Sequence, residues 1–138
     1  MIGVQVAQQL REAGLTWKPA PGDRFTIPDR DMDDQIFYLA DMTIEVYQMP
    51  NGRVIGFNGT TEWALDDVEL DETLWLPRED QLRDALAGTF VNLTRELTDE
   101  RASYIVTTRV DGAEARSISE DPAEAYGLAL LALLRSLT

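Results

Sequence analysis

The chain has 138 residues, of which 44% are hydrophobic and 27% are charged, a composition typical of a globular domain rather than of a disordered or fibrous chain. It contains neither cysteine nor histidine, which excludes disulfides, thiol nucleophiles, the usual zinc sites and serine–histidine–aspartate triads. Its formal net charge of −13 disfavours binding to nucleic-acid backbones and anionic membranes.

The acidic residues are concentrated in one stretch of the chain. Twelve of the 25 lie between Asp29 and Glu72, where only Arg30 and Arg53 oppose them. We interpret this stretch as a solvated surface that keeps the protein soluble. An alternative is an acidic nucleic-acid mimic, whose carboxylates occupy the phosphate sites of a partner protein.

The sequence predicts a cytoplasmic protein without membrane contact. The first fourteen residues, MIGVQVAQQLREAG, have neither a basic N-terminal region nor a long apolar core, so we expect no signal peptide. The longest apolar run, residues 125–134, is shorter than the ~20 residues that a bilayer-spanning helix needs.

The first half of the chain predicts one helix followed by short strands. Apolar residues at helical spacing predict a helix over residues 3–13. The proline after residues 25–27 predicts a short edge strand there, and the β-branched and aromatic residues of 35–49 favour further strand. Asn51-Gly52 predicts a hairpin turn, because both central residues of a type I′ turn have positive φ.

The second half predicts helices on either side of a second set of strands. A short helix is expected over residues 62–68, with Trp63 buried, and Pro77 opens a helix that ends at Gly88. Asp111-Gly112 predicts another hairpin turn. The strands expected around it lie near residues 90–97, 103–110 and 114–119.

Together these elements predict the fold class. Hairpins with helices before and after them indicate an α+β fold, in which an antiparallel β-sheet built from hairpins carries helices packed on it. We expect one small domain over residues 1–138. The similarity between residues 9–14 and 81–88 leaves open a weak internal α-β duplication of residues 1–60 and 77–138.

The final helix carries the candidate interface. Asp121-Pro122-Ala123-Glu124 predicts a capping box at its N-terminus, and the helix is expected to reach about Leu137. At 100° per residue, one side is the natural core-facing stripe, formed by Tyr126, Leu130, Leu133, Leu134 and Leu137. The other side presents a second row, formed by Glu124, Leu128, Leu131 and Arg135.

Two alternatives account for this second row, because a helix that is apolar on both sides is either buried between layers or paired with another molecule. In the first, the N-terminal helix covers Leu128 and Leu131. In the second, two copies form a two-fold dimer with antiparallel helices, in which Glu124 of one chain meets Arg135 of the other.

Other patterns are weaker indications of chemistry. Asp29, Asp31 and Asp33 have the spacing of a calcium loop, but Asp34 and Ala40 replace its required Gly and Glu, so we expect a solvated loop. Adjacent carboxylates point apart and do not predict acid–base catalysis. The aromatic residues are interpreted as core, with a ligand pocket as the alternative: Trp17, Trp63, Trp75, Phe37, Tyr38, Tyr47 and Phe57.

These observations favour a non-enzymatic accessory protein that acts by binding another protein or a second copy of itself. The chain has no phosphate-binding loop and no dinucleotide-binding motif, so we expect no enzymatic activity and no cofactor. The rival hypothesis is a small-molecule-binding protein or carboxylate-based hydrolase with its site near Trp63 and Trp75.

Several stretches resemble a family of short bacterial proteins of unknown function. The resemblance is carried by WKPAPGDRF with IPDRDMDD, by VIGFNGTTEWALDDV, by LWLPREDQLRDALAG and by DPAEAYGLALLALL. The closing block is also similar to small phage-encoded accessory proteins. Some similar proteins have a pilus-assembly label of the ATPase type CpaE, but Lys18, the only lysine, lies between Trp17 and Pro19 outside any glycine-rich loop. The resemblance therefore implies no ATPase activity and no functional residues.

Overall fold

The computed structural model describes residues 1–28, 32–39, 44–49, 52–57, 67–69 and 72–137. Its helices are α1 (Val4–Glu12), α2 (Glu79–Leu86) and α3 (Pro122–Ser136). Its strands are β1 (Arg24–Ile27), β2 (Met32–Tyr38), β3 (Ile44–Met49), β4 (Gly52–Phe57), β5 (Asp67–Glu69), β6 (Leu74–Trp75), β7 (Phe90–Thr98), β8 (Arg101–Val110) and β9 (Ala113–Ser119). The expected α+β fold class is confirmed.

Within the described ranges the strands form three antiparallel sheets, in the orders β2-β1-β6, β3-β4-β5 and β7-β8-β9. The chain divides into two compact units. Unit 1 comprises Met1–Thr16 and Pro77–Thr138, and unit 2 comprises Trp17–Leu76. The single domain and the internal duplication expected from the sequence stay predictions.

In unit 2, strand β1 is central. Phe25 pairs with Phe37 on one side and with Trp75 on the other, so the prediction of an edge strand is wrong. The reason is that the proline follows Ile27, the last residue of the strand, and its missing N–H is therefore not needed in the ladder. Strand β2 begins at Met32, within the stretch expected to be a loop.

The predicted hairpin between β3 and β4 is confirmed, but the prediction that Gly52 is a central turn residue is wrong, because Gly52 is the first residue of β4. Met49 pairs with Gly52, so residues 50 and 51, which lie outside the described residues, separate the two strands. Strand β5 lies where the end of a helix was expected, because residues 67–69 pair with β4. The remainder of the helix expected over 62–68, with Trp63, lies outside the described residues.

In unit 1, helix α3 is the central element and contacts α1, α2, β8 and β9. At 100° per residue its buried residues cover about two thirds of the helix circumference: Ala123, Ala125, Tyr126, Gly127, Ala129, Leu130 and Leu131. The remaining side carries Glu124, Leu128, Ala132 and Arg135, which are half-buried or exposed. The predicted core stripe is confirmed for Tyr126 and Leu130, whereas Leu137 is 73% exposed. The prediction for Leu137 is wrong because the helix ends at Ser136.

The three strands of unit 1 agree closely with the prediction. Strands β8 and β9 are joined by Asp111 and Gly112, with φ values of 51° and 81°, as the type I′ turn requires. Strands β7 and β8 are joined by Asp99 and Glu100, with φ values of 51° and 66°. One face of the sheet packs on α3, where the rings of Phe90 and Tyr126 lie 5.7 Å apart.

Candidate functional site

The residues of the predicted interface row on α3 differ in their exposure. Leu131 is buried, with 4% of its surface exposed, Leu128 is half-buried and Arg135 is exposed. Glu124 binds within the same unit, because its Oε2 accepts a hydrogen bond of 2.7 Å from the backbone N–H of Gly3. The burial of Leu131 agrees with the alternative in which the N-terminal helix covers it, and the interface formed by Glu124, Leu128, Leu131 and Arg135 stays a prediction.

Ile2 and helix α1 pack on α3 one turn before Leu131. A Cβ atom at Gly127 would lie 2.9 Å from Cδ1 of Ile2 and 3.1 Å from Cγ1 of Val6, so both residues approach α3 closely. The close contact favours the layered alternative over the dimer through α3. A charged residue at position 131 would be buried and would unfold the unit rather than test an interface.

The N-terminus of α3 differs from the predicted capping box. Asp121 is the N-cap, and its Oδ1 accepts from the N–H groups of Ala123 at 2.8 Å and Glu124 at 3.3 Å. The Asp121 N–H donates to Ser119 Oγ at 3.2 Å, so the reciprocal bond from Glu124 is absent among the described contacts. Asp121 Oδ2 instead lies 2.6 Å from the Met1 ammonium group.

These contacts make the stability of unit 1 dependent on pH. Burial acts to raise the pKa of Asp121, but the hydrogen bonds from the Met1 ammonium and from two backbone N–H groups outweigh it and hold the pKa below its ordinary value of 3.8. The carboxylate therefore stabilises the fold above the pKa of the unfolded chain. This contribution is lost as the pH falls through the lower pKa of the folded state.

We expect Asp121→Asn to reduce the free energy of unfolding at pH 7, because it retains an N-cap acceptor but removes the charge opposite the ammonium. The difference from the wild type should shrink below about pH 4 as the wild-type carboxyl protonates. Urea unfolding at a series of pH values measures this. If the difference in the free energy of unfolding between the wild type and Asp121→Asn were constant between pH 7 and pH 3, the charge of the Asp121 carboxylate would not be its cause.

Trp17, Phe25, Phe37 and Trp75 of unit 2 form an aromatic cluster, in which the Phe25 and Phe37 rings lie 5.4 Å apart. The Trp17 ring lies 5.5 Å from Phe25 and 6.4 Å from Trp75, and Trp17 Nε1 donates to Asp23 Oδ2 at 2.9 Å. Trp17 and Phe25 are 8% and 2% exposed, as core packing requires. Tyr38, expected in the same group, is 65% exposed.

Strand β7 is the most exposed element of unit 1. Phe90 is half-buried and the other eight of its nine residues are exposed, including the apolar Val91, Leu93 and Leu97. It is an edge strand, since no strand in the described ranges pairs with its outer side. An exposed edge of this length presents unpaired backbone groups to which another extended chain can bind.

The hairpin turn determines which backbone groups of β7 are free. Thr98 and Arg101 close a two-residue turn, so their backbone groups bond each other. Because hydrogen bonding alternates along an antiparallel strand, Asn92, Thr94 and Glu96 also bond β8. The N–H and C=O groups of the residues between them point to the free edge, at Leu93, Arg95 and Leu97.

The outer face of the same sheet contains a depression of about 200 Å³, lined mainly by polar side chains that include Thr94, Glu96, Glu114 and Arg116. Ligand sites for small molecules are usually larger, about 300–1,000 Å³, and mostly apolar. The depression is therefore a weaker candidate for a small-molecule site than the β7 edge is for a polypeptide-binding site.

Sequence reasoning did not single out β7. Its apolar residues Val91, Leu93 and Leu97 lie at odd-numbered positions, which approximates the pattern of a strand with one buried face, and Arg95 interrupts the row. In the structure α3 contacts β8 and β9, and Leu93 and Leu97 remain 37% and 65% exposed. The available signal was the long run from Phe90 to Thr98 without proline or lysine, the residues that usually protect an edge.

Several predicted features lie where no side chain is described. Asp29, Asp31 and Trp63 are outside the described residues, and Asp33 lies in β2 with only its backbone described. Among the residues that are described, no helix is long and apolar enough to cross a membrane. The hypotheses of an acidic mimic and of a site near Trp63 stay predictions.

Comparison of the chain with protein-family models, with curated proteins and with solved structures finds no match. The exposed edge of β7 is therefore the feature from which we infer a function. The resemblance to short bacterial proteins stays a prediction.

Proposed function

We propose that the protein is a non-catalytic accessory protein, and that it binds an extended polypeptide segment along the free edge of β7. The observation that carries this proposal is the exposure of eight of the nine residues of an edge strand. A bound segment would add a strand to the β7-β8-β9 sheet.

Two further features support polypeptide as the ligand class. The free backbone groups at Leu93, Arg95 and Leu97 would supply donors and acceptors at the spacing of an extended chain. The exposed side chains of Leu93 and Leu97 lie on one face of the sheet and would contact apolar side chains of the bound segment. Affinity would come from the backbone, and specificity from these side chains.

The test is a proline substitution on each edge of the sheet. Arg95→Pro removes an outward N–H of β7 without removing a bond to β8, because proline is tolerated where the N–H faces solvent. Arg116→Pro is the matched control on β9, whose turn at residues 111–112 places the Arg116 N–H on the opposite edge. Both variants replace an exposed arginine by proline.

Partners are captured from cell extract with the wild type and both variants, identified by mass spectrometry, and then purified for calorimetric titration. We expect Arg95→Pro to weaken binding by about tenfold or more, and Arg116→Pro to retain wild-type affinity. A partner that binds all three proteins equally would contradict docking at β7. Circular dichroism establishes that each variant remains folded.

A further inference from the structure

We propose that, in the free protein, the β7 edge is occupied by the β7 edge of a second copy, which pairs with it antiparallel about a two-fold axis at Thr94. This inference rests on the proposed function, since it uses the same edge. It would join two three-stranded sheets into one of six strands, in the order β9-β8-β7-β7-β8-β9.

The proposed register overlaps the whole of Phe90–Thr98 with its own copy, which places Thr94 opposite Thr94. A bulge lies between Phe90 and Asn92, so the regular part of β7 is Asn92–Thr98, and within it residues 92–96 pair with residues 96–92 of the copy. Leu93 then lies opposite Arg95, and the backbone groups of both residues face the free edge, so they can form a hydrogen-bonded pair. The alternation of bonds along β7 and the two-fold register are therefore compatible.

The charges of the strand allow this pairing. Residues 90–98 contain one arginine and one glutamate, so the strand is neutral although the whole chain has a net charge of −13. In the full-overlap register, Glu96 lies directly opposite Asn92 and Arg95 directly opposite Leu93, so no like charges are directly opposite, and Arg95 meets its own copy only as a diagonal neighbour. Two acidic copies can thus meet along a neutral strand.

The second edge of the sheet lacks this compatibility. Full overlap of β9, residues Ala113–Ser119, with its own copy is centred on Arg116. Two arginines would lie directly opposite each other, which destabilises a cross-strand pair. Self-pairing therefore selects β7 over β9.

The pairing would also cover exposed apolar side chains of β7. Leu93 and Leu97 lie on one face, and diagonal neighbours across an antiparallel pair are within reach of long side chains. The two-fold axis brings Leu93 of one copy next to Leu93 and Leu97 of the other. Apolar surface that is exposed in the single chain becomes partly covered.

The position of the axis provides a direct test, because the wild-type chain has no cysteine. Thr94 bonds its own β8, so Thr94 and its copy would form a non-hydrogen-bonded pair with Cα atoms about 4.5 Å apart. This distance suits a disulfide. The single variant Thr94→Cys should therefore form a covalent dimer on mild oxidation.

Glu96→Cys is the matched control, since it lies on the same face of the same exposed strand. Its two copies would be displaced by four residues, roughly 14 Å, too far for a disulfide. We expect Thr94→Cys to cross-link at least about tenfold faster than Glu96→Cys on non-reducing gels, because pairing raises the effective thiol concentration.

Sedimentation equilibrium at high micromolar concentration completes the test. We expect a dimer for the wild type and Arg116→Pro, and a monomer for Arg95→Pro. A monomeric wild type with equal cross-linking of both cysteine variants would overturn the self-pairing. The proposed function would then be tested by the partner titration alone. A dimer that persists in Arg95→Pro would place the contact elsewhere and also overturn this inference.

Discussion

Leu130→Ala is expected to lower the free energy of unfolding by about 3 kcal/mol. Leu130 is 1% exposed in the middle of α3, the helix that contacts both other helices and the sheet of unit 1. Removing its side chain loses apolar burial and leaves a cavity that packed neighbours on several sides cannot fill. Urea unfolding followed by circular dichroism measures the change.

Leu137→Ala is the control for this experiment, because it makes the same substitution just beyond the end of the same helix. Leu137 is 73% exposed, so we expect a change below about 0.5 kcal/mol. Equal effects at the two positions would show that α3 is not packed as described. The comparison also tests whether Leu137, which the sequence placed in the core-facing stripe, lies outside the core.

Gly127→Val is expected to cost about 2 kcal/mol, because its Cβ would lie 2.9 Å from Cδ1 of Ile2 and 3.1 Å from Cγ1 of Val6. The valine would push the N-terminal segment away from α3 and strain the Glu124 contact to the Gly3 N–H. Thermal unfolding and amide exchange of α1 measure the loss.

Gly88→Val provides the matched control. A Cβ at Gly88 meets nothing within 4 Å, so we expect a loss below about 0.5 kcal/mol. If Gly127→Val were as stable as Gly88→Val, the close approach of Ile2 and Val6 to α3 would be contradicted.

The elements with strong local signals could be predicted from the sequence. The Asp111-Gly112 turn needs two residues of positive φ, and the structure has both. Asp121 before a proline begins α3, and the fold class follows from such hairpins and helices. Each signal lies within a few neighbouring residues, so no tertiary contact was needed to interpret it.

The candidate site could not be predicted in the same way. The two sides of α3 are alike in their apolar pattern, and the burial of Leu131 depends on the elements that pack around α3, which no local pattern identifies. The exposure of β7 depends on how far α3 extends across the sheet, which no local pattern encodes. Glu124 binds Gly3 rather than its own N-cap because a partner distant in sequence competes for its carboxylate.

The division of unit 1 between residues 1–16 and 77–138 has a consequence for synthesis on the ribosome. Gly3 and Glu124 are 121 positions apart, so α1 is made on the order of 10 s before its partner at common elongation rates. A helix of nine residues is marginal in water by itself. During this delay Val6 and Leu10 are exposed to chaperones, while the continuous unit 2 is already free to fold.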